Sequence, residues 1–239
     1  MNDHIIRSLK NGFIVSCQAL EGEPLYGSSF MAALAVAAEQ GGATAIRANS
    51  PQDIAAIKSV CSLPVIGLYK KTYPGYDVYI TPTIREVSEV AAAGADLVAI
   101  DCTRMSRPDG ETLEQLITSV RKRFPSIPIV ADISTFEEGV QSMDLGADLI
   151  STTMSGYTPY SRQHPDPDIE LVRRLSELKR QPVLAEGRIW TIEQCMKCYE
   201  AGAYAVVVGT AITRPQHIVK RYVEHIRKEV YKSAPEQPT

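Results

Sequence analysis

Five charged residues in this sequence stand in or directly after short apolar runs, where they could act together in acid–base chemistry. Two are cations, Arg47 in "ATAIRA" and Lys70 in "LPVIGLYKK", and three are carboxylates, Asp101, Asp132 and Glu186. A lysine accepts a proton from carbon only if burial or a neighbouring cation lowers its pKa from about 10.4. A carboxylate on the other side of the site could serve the opposite face of a substrate. The five residues predict a proton-transfer site if the fold brings them together.

Eight apolar runs carry these residues and alternate with amphipathic helical patterns. The runs begin near residues 12, 43, 64, 96, 127, 148, 182 and 204. A glycine ends the helical pattern before several runs, as in "AGADLVAID" and "AGAYAVVVG". Apolar strands with little alternation, each followed by a helix, indicate a parallel sheet whose outer face is covered. Eight such units in 239 residues predict an α/β fold with a single (β/α)8 TIM barrel.

One domain is predicted over residues 1–239, with residues 1–11 and 232–239 peripheral to it. The alternative fold is an open doubly wound sheet, but "QALEGEPLYG" after the first strand lacks a GxGxxG motif. Active sites of TIM barrels lie at the carboxyl ends of the strands. The residues that end the eight runs should therefore meet there: Gln18, Arg47, Lys70, Asp101, Asp132, Thr153, Glu186 and Gly209. Singly, Gln18, Asp101 and Thr153 are equally well explained as helix caps or solvent-facing residues.

The loops after the seventh and eighth strands predict a phosphate site. Such loops often bind phosphate in these barrels through free backbone N–H groups and glycines that allow close approach. The alternative is that the glycines only turn the chain and the arginines are solvated. The candidate phosphate-binding residues in "EGR" and "GTAITRP" are Gly187, Arg188, Gly209, Thr210 and Arg214.

A long loop follows the sixth strand and suits a lid over a substrate. It reads "MSGYTPYSRQHPDP", residues 154–167, and its Tyr157 is a candidate substrate contact. The alternative is an ordinary surface loop. None of the four histidines follows a strand, so we assign none a catalytic role.

Composition excludes several function classes. The formal net charge of -3 gives no basic field for nucleic acid or an anionic membrane. No secretory signal pattern or membrane-length apolar run is present, and a cytoplasmic location is expected. Five cysteines make a disulfide framework improbable, and the CxxC of Cys195 and Cys198 reads as part of a helix rather than a zinc site.

Several long strings in the sequence resemble one known family. They include "IVSCQALEGEPL", "PVIGLYKK", "STTMSGYTPYS" and "GTAITRPQ", and the resemblance runs from about Gly12 to about Tyr222. The family is that of N-acetylmannosamine-6-phosphate 2-epimerases. The resemblance implies an isomerase of sialic acid catabolism that converts N-acetylmannosamine 6-phosphate to N-acetylglucosamine 6-phosphate without a metal or an organic cofactor.

The resemblance also implies roles for individual residues. Lys70 matches the catalytic lysine of the family and Glu186 its catalytic carboxylate, whereas Lys71 matches no functional position. Substrate contacts are implied at Gln18, Arg47 and Asp132, and the phosphate end at Gly187, Arg188, Gly209 and Arg214. Two other functions remain open, a Schiff-base aldolase with Lys70 as nucleophile and a non-catalytic sugar-phosphate sensor. The oligomeric state is also open, with a homodimer as one candidate.

Overall fold

Eight parallel strands close into a barrel in chain order, with β1 paired to β8. The computed structural model describes the backbone of residues 2–232 and the side chains of residues 4–230. The predicted fold class is confirmed. The strands are β1 Gly12–Cys17, β2 Ala45–Asn49, β3 Val65–Leu68, β4 Leu97–Asp101, β5 Ile129–Asp132, β6 Leu149–Ser151, β7 Val183–Glu186 and β8 Ala205–Val208.

Helices surround the barrel and follow each strand. Four of them begin with a capping box, in which a threonine and the Glu or Gln three residues later satisfy each other's backbone N–H groups. The helices are α1 Asn2–Ser8, α2 Ser28–Gln40, α3 Pro51–Lys58, α4 Ile84–Ala92, α5 Leu113–Arg123, α6 Phe136–Asp144, α7 Ile169–Glu177, α8 Ile192–Glu200, α9 Thr210–Thr213 and α10 Pro215–Lys232. No helix within residues 2–232 is long and apolar enough to cross a membrane.

Both faces of the barrel strands are buried, which explains their continuous apolar runs. One set of side chains fills the barrel interior, and the alternate set packs against the helices. On four strands a small or branched apolar residue of the inner set stands two positions before a charged one, so the charged residue also points inward. These pairs are Ala45 and Arg47, Ala99 and Asp101, Val130 and Asp132, and Leu184 and Glu186.

The amino-terminal segment closes one end of the barrel. Leu9 is fully buried and belongs to the inner cluster, and Ile5 and Ile6 pack against that cluster. The Asn11 N–H donates to the carbonyl of Tyr204, which ties the segment to the start of β8. Part of the segment predicted to be peripheral therefore belongs to the core, because its apolar side chains plug the barrel. The peripheral tail predicted at residues 232–239 begins at the last residue of α10 and otherwise lies outside the described residues.

Candidate active site

A cleft of about 1370 Å³ opens at the carboxyl ends of the strands. It is large enough for a hexose phosphate, since small-molecule sites commonly measure about 300–1,000 Å³. Most of the residues predicted to form the site line this cleft. They are Gln18, Arg47, Lys70, Thr153, Tyr157, Glu186, Gly187, Arg188, Gly209, Thr210 and Arg214.

A buried arginine links two carboxylates at the floor of the cleft. Arg47 Nη1 and Nη2 donate to Asp132 Oδ1 and Oδ2 at 3.1 and 2.5 Å. Arg47 Nη1 also lies 3.3 Å from Glu186 Oε2. Arg47 and Asp132 are almost wholly buried, whereas Glu186 is 13% exposed. Burial disfavours the charged arginine, but the two carboxylates outweigh it and raise the pKa of Arg47, so the guanidinium stays charged.

Two hydroxyl groups from the end of β6 complete this network. Thr153 Oγ1 lies 2.7 Å from Asp132 Oδ1 and 3.0 Å from Glu186 Oε2. Ser151 Oγ lies 2.8 Å from Thr153 Oγ1. Asp132 is thus fully occupied by Arg47 and Thr153 and does not line the cleft, although it was predicted to contact substrate. Its contacts instead hold Arg47 in place.

Lys70 follows β3 and its backbone is fixed from two sides. Its N–H donates to Asn49 Oδ1 at 2.8 Å, and a bridge to Ile80 pairs it with the returning chain. Burial lowers the pKa of Lys70 to about 8, and the nearby charge of Arg47 adds to the effect. A lysine with a pKa near 8 can accept a proton close to neutral pH, which an ordinary lysine cannot.

Glu186 is the carboxylate of the cleft floor that remains accessible to a ligand. Burial raises its pKa, and the charge of Arg47 opposes that rise. A raised pKa makes the protonated form of this carboxyl group easier to populate than that of an exposed glutamate, which favours a role in donating as well as accepting a proton.

Lys71 has a different environment from Lys70. Its Nζ lies 3.5 Å from Glu86 Oε1 and 5.5 Å from the centre of the Tyr69 ring. Glu86 is fully buried and accepts from the Thr83 N–H at the start of α4. Lys71 therefore balances the charge of a helix-capping carboxylate, although it also lines the cleft, and its lack of a catalytic role stays a prediction.

Asp101 does not reach the cleft. It is fully buried at the end of β4, and its Oδ1 accepts from Thr103 N and Thr103 Oγ1 at 3.0 and 2.6 Å. Its Oδ2 has no hydrogen-bond partner within the described part of the chain. Asp101 therefore holds the turn after β4. The interpretation of Asp101 as a helix cap or a solvent-facing residue is wrong, because Thr112 caps the following helix and Asp101 is fully buried.

Gln18 presents an unsatisfied acceptor. Its Nε2 donates to Ser16 Oγ at 2.9 Å, whereas its Oε1 is buried and lacks a partner among residues 4–230. A buried carbonyl oxygen without a donor costs about 1–3 kcal/mol. A hydroxyl or amide N–H of a ligand in the cleft would satisfy it.

The loops after β7 and β8 form one end of the cleft. Gly187 has φ +109°, a conformation that side chains disfavour. Gly209 packs against Ser16, where an added Cβ would lie 3.1 Å from the Ser16 Cβ. Arg214, at the end of the short helix α9, forms a bidentate ion pair with Glu23. Two glycines and a fixed arginine give this end the shape and charge of an anion site.

Arg188 lines the cleft and also binds the loop after β6. Its Nη1 donates to the Ser155 carbonyl, and its Nε donates to the Asp166 carbonyl at 3.0 Å. Its guanidinium also lies 5.7 Å from the ring centre of Tyr157, which is 58% exposed. The arginine therefore joins both ends of the loop that was predicted to be a lid.

Sequence reasoning missed two residues that hold this site. Asn49 positions the Lys70 backbone, and Glu23 holds Arg214. Asn49 gives a usable signal, because it stands two residues after Arg47 and so shares its face of β2. Glu23 gives none, because it comes from a turn 191 residues away along the chain from Arg214.

The cysteines take no part in the site. All five are free thiols, and Cys195 and Cys198 lie on α8, as the helical pattern predicted. Among the residues that the structure describes, no group of three or more His, Cys, Asp or Glu side chains has an arrangement that could hold a metal ion.

The fold and the site are those of a TIM-barrel enzyme, with a lysine whose pKa is lowered and a carboxylate at the carboxyl ends of the strands. Residues 31–228 match the model of the family described as "Putative N-acetylmannosamine-6-phosphate epimerase". The chain belongs to this family, and the predicted membership is confirmed.

Individual relatives agree over nearly the full length. A Caldanaerobacter subterraneus protein named "Putative N-acetylmannosamine-6-phosphate 2-epimerase" is 55% identical to this chain, over 97% of the length of this chain and 98% of the length of the relative. A Shouchella clausii protein of the same name is 46% identical over 93% and 99%. The solved structure of the N-acetylmannosamine-6-phosphate 2-epimerase from Clostridium perfringens matches with a TM-score of 0.89 at 46% identity, covering 92% and 96% of the two chains.

Proposed function

We propose that this protein is an isomerase that inverts C2 of N-acetylmannosamine 6-phosphate to give N-acetylglucosamine 6-phosphate, a step of sialic acid catabolism. The observation that carries the proposal is that Lys70, Glu186 and Arg47 line one cleft at the carboxyl ends of the strands, where burial also lowers the pKa of Lys70. Membership of the epimerase family supplies the substrate.

The chemistry begins with the ring-opened sugar, because only the aldehyde makes the C2 proton acidic. Neutral Lys70 removes that proton to its Nζ, and the electron pair of the C2–H bond passes into an enolate with its charge on the C1 oxygen. Return of a proton to the other face of C2 gives the epimer and restores the aldehyde. Proton gain and loss balance, so the reaction consumes no oxidant, reductant or cofactor.

The remaining groups of the cleft have supporting roles in this proposal. Glu186 handles the proton on the opposite face or on the hydroxyl that closes the ring. The positive charge of Arg47, beside Glu186, favours the enolate from the cleft floor. Gln18 Oε1 accepts from a hydroxyl or the acetamido N–H of the sugar.

The phosphate lies at the end formed by Gly187, Gly209, Thr210 and Arg214 in this proposal. Backbone groups of the glycine loops and the arginine bind it in the ground state and the transition state alike. Arg188 acts on the same substrate indirectly, by holding Tyr157 and the loop over the cleft. Tyr157 and Thr153 then contact the sugar.

We propose that catalysis needs no metal ion. Of the three carboxylates near the barrel mouth, Asp132 is bound by Arg47 and Asp101 by Thr103. The two cations Arg47 and Lys70 already place positive charge where a Lewis acid would act.

Proton NMR of N-acetylmannosamine 6-phosphate with the purified protein tests the proposal. We expect conversion to N-acetylglucosamine 6-phosphate, and the same equilibrium mixture from either sugar phosphate, in excess EDTA. Absence of conversion would contradict the epimerase assignment, whereas conversion that EDTA abolishes and a divalent ion restores would contradict only the metal-free mechanism. A Schiff-base route would instead leave a borohydride-trapped adduct on Lys70.

We also propose a cytoplasmic homodimer. Val219, Tyr222, Val223 and Ile226 are exposed at helical spacing on α10, which packs mainly against α9. A twofold dimer would bury this face on both copies at once. Light scattering should give twice the chain mass, and Ile226→Glu should give monomers; a monomeric wild type would contradict the dimer.

The five free thiols suit a reducing compartment, and cell fractionation tests the location.

A further inference from the structure

Glu23 and Arg214 form an ion pair at the rim of the cleft that the proposed reaction leaves unexplained. Glu23 lies in the turn after β1, and Arg214 lies where α9 ends and α10 begins. Arg214 Nε donates to Glu23 Oε2 at 3.0 Å, and Arg214 Nη2 donates to Glu23 Oε1. The arginine and glutamate side chains are only 23% and 19% exposed. A bidentate pair that is largely shielded from water restrains both side chains.

The contact with Glu23 occupies one edge of the Arg214 guanidinium and leaves another edge free to bind a ligand. Nε and Nη2 face Glu23, whereas Nη1 makes no hydrogen bond within the described part of the chain. Arg214 lines the cleft, and its charge is close enough to Lys70 to contribute to the lowered pKa of that lysine. The edge formed by Nη1 and the second N–H of Nη2 can therefore receive an anion in the cleft while Glu23 keeps its own contact.

The backbone that carries Arg214 is anchored to the same part of the barrel. Thr213 Oγ1 donates to the Ser16 carbonyl at 2.9 Å, which fixes the end of α9 to β1. The Glu23 N–H donates to the Leu20 carbonyl at 3.0 Å, so the turn that carries Glu23 is also ordered. The ion pair thus joins two backbone segments that are each held by a hydrogen bond. Contact with Glu23 then orders the Arg214 side chain itself.

We infer that Glu23 is a positioning residue, which holds the free edge of Arg214 toward the phosphate of the substrate. This inference rests on the proposed function, because the position of the substrate phosphate in the cleft is part of that proposal. A long arginine side chain loses rotamer freedom when it binds an anion, and this loss weakens binding. With Glu23 in place, the arginine is already ordered before the substrate arrives.

A Glu23 that competes with phosphate and a Glu23 that positions Arg214 predict opposite changes in anion affinity when Glu23 is removed. If Glu23 only competed with phosphate for Arg214, its removal would free the arginine and tighten anion binding. If Glu23 positions Arg214, Glu23→Ala weakens binding, and Glu23→Gln keeps much of it because the amide oxygen still accepts from the guanidinium. Glu23→Ala removes both the contact that positions Arg214 and the negative charge of Glu23, whereas Glu23→Gln removes only the charge, so the two variants separate these effects.

Calorimetric titration with inorganic phosphate, followed by steady-state kinetics with the sugar phosphate, tests the inference. We expect Glu23→Ala to weaken phosphate binding and raise KM at least fivefold with kcat within about twofold, and Glu23→Gln to stay within about twofold in both. In an Arg214→Ala background, Glu23→Ala should change neither value. Glu89→Ala, which removes an exposed ion pair with Arg85 on α4, is the matched control and should leave both unchanged.

The outcomes separate this inference from the proposed function. Phosphate binding by Glu23→Ala that equals or exceeds that of wild type, with binding by Arg214→Ala weakened, would overturn the positioning role alone. Unchanged phosphate binding by Arg214→Ala would overturn the phosphate end and the inference with it. The titration needs no turnover, so a protein that binds phosphate without epimerising the sugar would contradict the proposed reaction and leave the positioning role supported.

Discussion

Lys70 is prepared for proton transfer by its surroundings before any substrate is present. Its backbone is held by Asn49 and by the chain at Ile80, and burial beside Arg47 lowers its pKa to about 8. The carboxylates of Asp132 and Glu186 lie beside the same Arg47 and offset its charge at the floor of the cleft. Desolvation rather than one strong charge therefore dominates the pKa of the lysine.

Replacement of Lys70 tests its role at the residue scale. We expect Lys70→Ala to lower kcat by about 10²–10⁴-fold, the usual contribution of general acid–base catalysis, while the circular dichroism spectrum and phosphate binding stay close to wild type. Lys71→Ala is the matched control, because it removes a neighbouring lysine that pairs with Glu86. Activity of Lys70→Ala within about tenfold of wild type would contradict the assignment.

The pKa of Lys70 gives a pH dependence with a definite sign. A base acts when deprotonated, so the rate of C2 deprotonation, followed as exchange of the C2 proton with deuterium from the solvent, should rise with pH and level off above about 8. The charge of Arg214 helps to lower this pKa, and Arg214→Gln should therefore move the rising limb to higher pH. A rate that falls through this range, or a limb that moves to lower pH in the variant, would contradict the role of neutral Lys70.

At the scale of elements, Arg188 controls the loop of residues 154–167. It donates to the carbonyls of Ser155 and Asp166 and lies beside Tyr157. We expect Arg188→Ala to speed amide hydrogen exchange in this loop and to raise KM, because both ends of the loop lose a shared donor. Unchanged exchange in the loop together with a raised KM would show that Arg188 binds phosphate directly and would contradict the structural role.

Gly67 sets the contact between β3 and the two helices that cover it. A Cβ at this position would lie 2.6 Å from the Ala95 Cβ, 2.7 Å from Val90 Cγ1 and 2.9 Å from Ile54 Cδ1. We expect Gly67→Ala to lower the free energy of unfolding by about 1–3 kcal/mol, measured by urea denaturation, because these buried neighbours cannot all move. Gly41→Ala is the control, since its contacts are no closer than 3.3 Å; equal stability of the two variants would contradict this account of the packing.

At the scale of the whole molecule, eight apolar runs that are each followed by a helical pattern were enough to predict the barrel, because every strand is buried on both faces. The two-residue alternation of a strand then explains why Arg47 and Glu186 point inward, since each stands two residues after an inner apolar side chain. Contacts between distant loops were not predictable. The pairing of Glu23 with Arg214 and of Arg188 with the loop after β6 depends on side-chain directions that no local pattern encodes.

The amino-terminal segment was mispredicted for a related reason. Its few apolar residues give a short pattern that does not distinguish a loose end from a plug, and only the open end of the barrel gives Leu9 a place to be buried. The resemblance to the epimerase family, in contrast, depended on long strings and was confirmed by relatives that cover nearly the whole chain.

The central claim is that Lys70, at the carboxyl ends of the barrel strands, removes the C2 proton of the sugar. Exchange of that proton with deuterium from the solvent tests the claim most directly. Proton NMR of N-acetylmannosamine 6-phosphate in deuterated water should show loss of the C2 signal as N-acetylglucosamine 6-phosphate forms. Lys70→Ala should slow both exchange and conversion by about 10²–10⁴-fold. Exchange and epimerisation at wild-type rates in Lys70→Ala would contradict the claim.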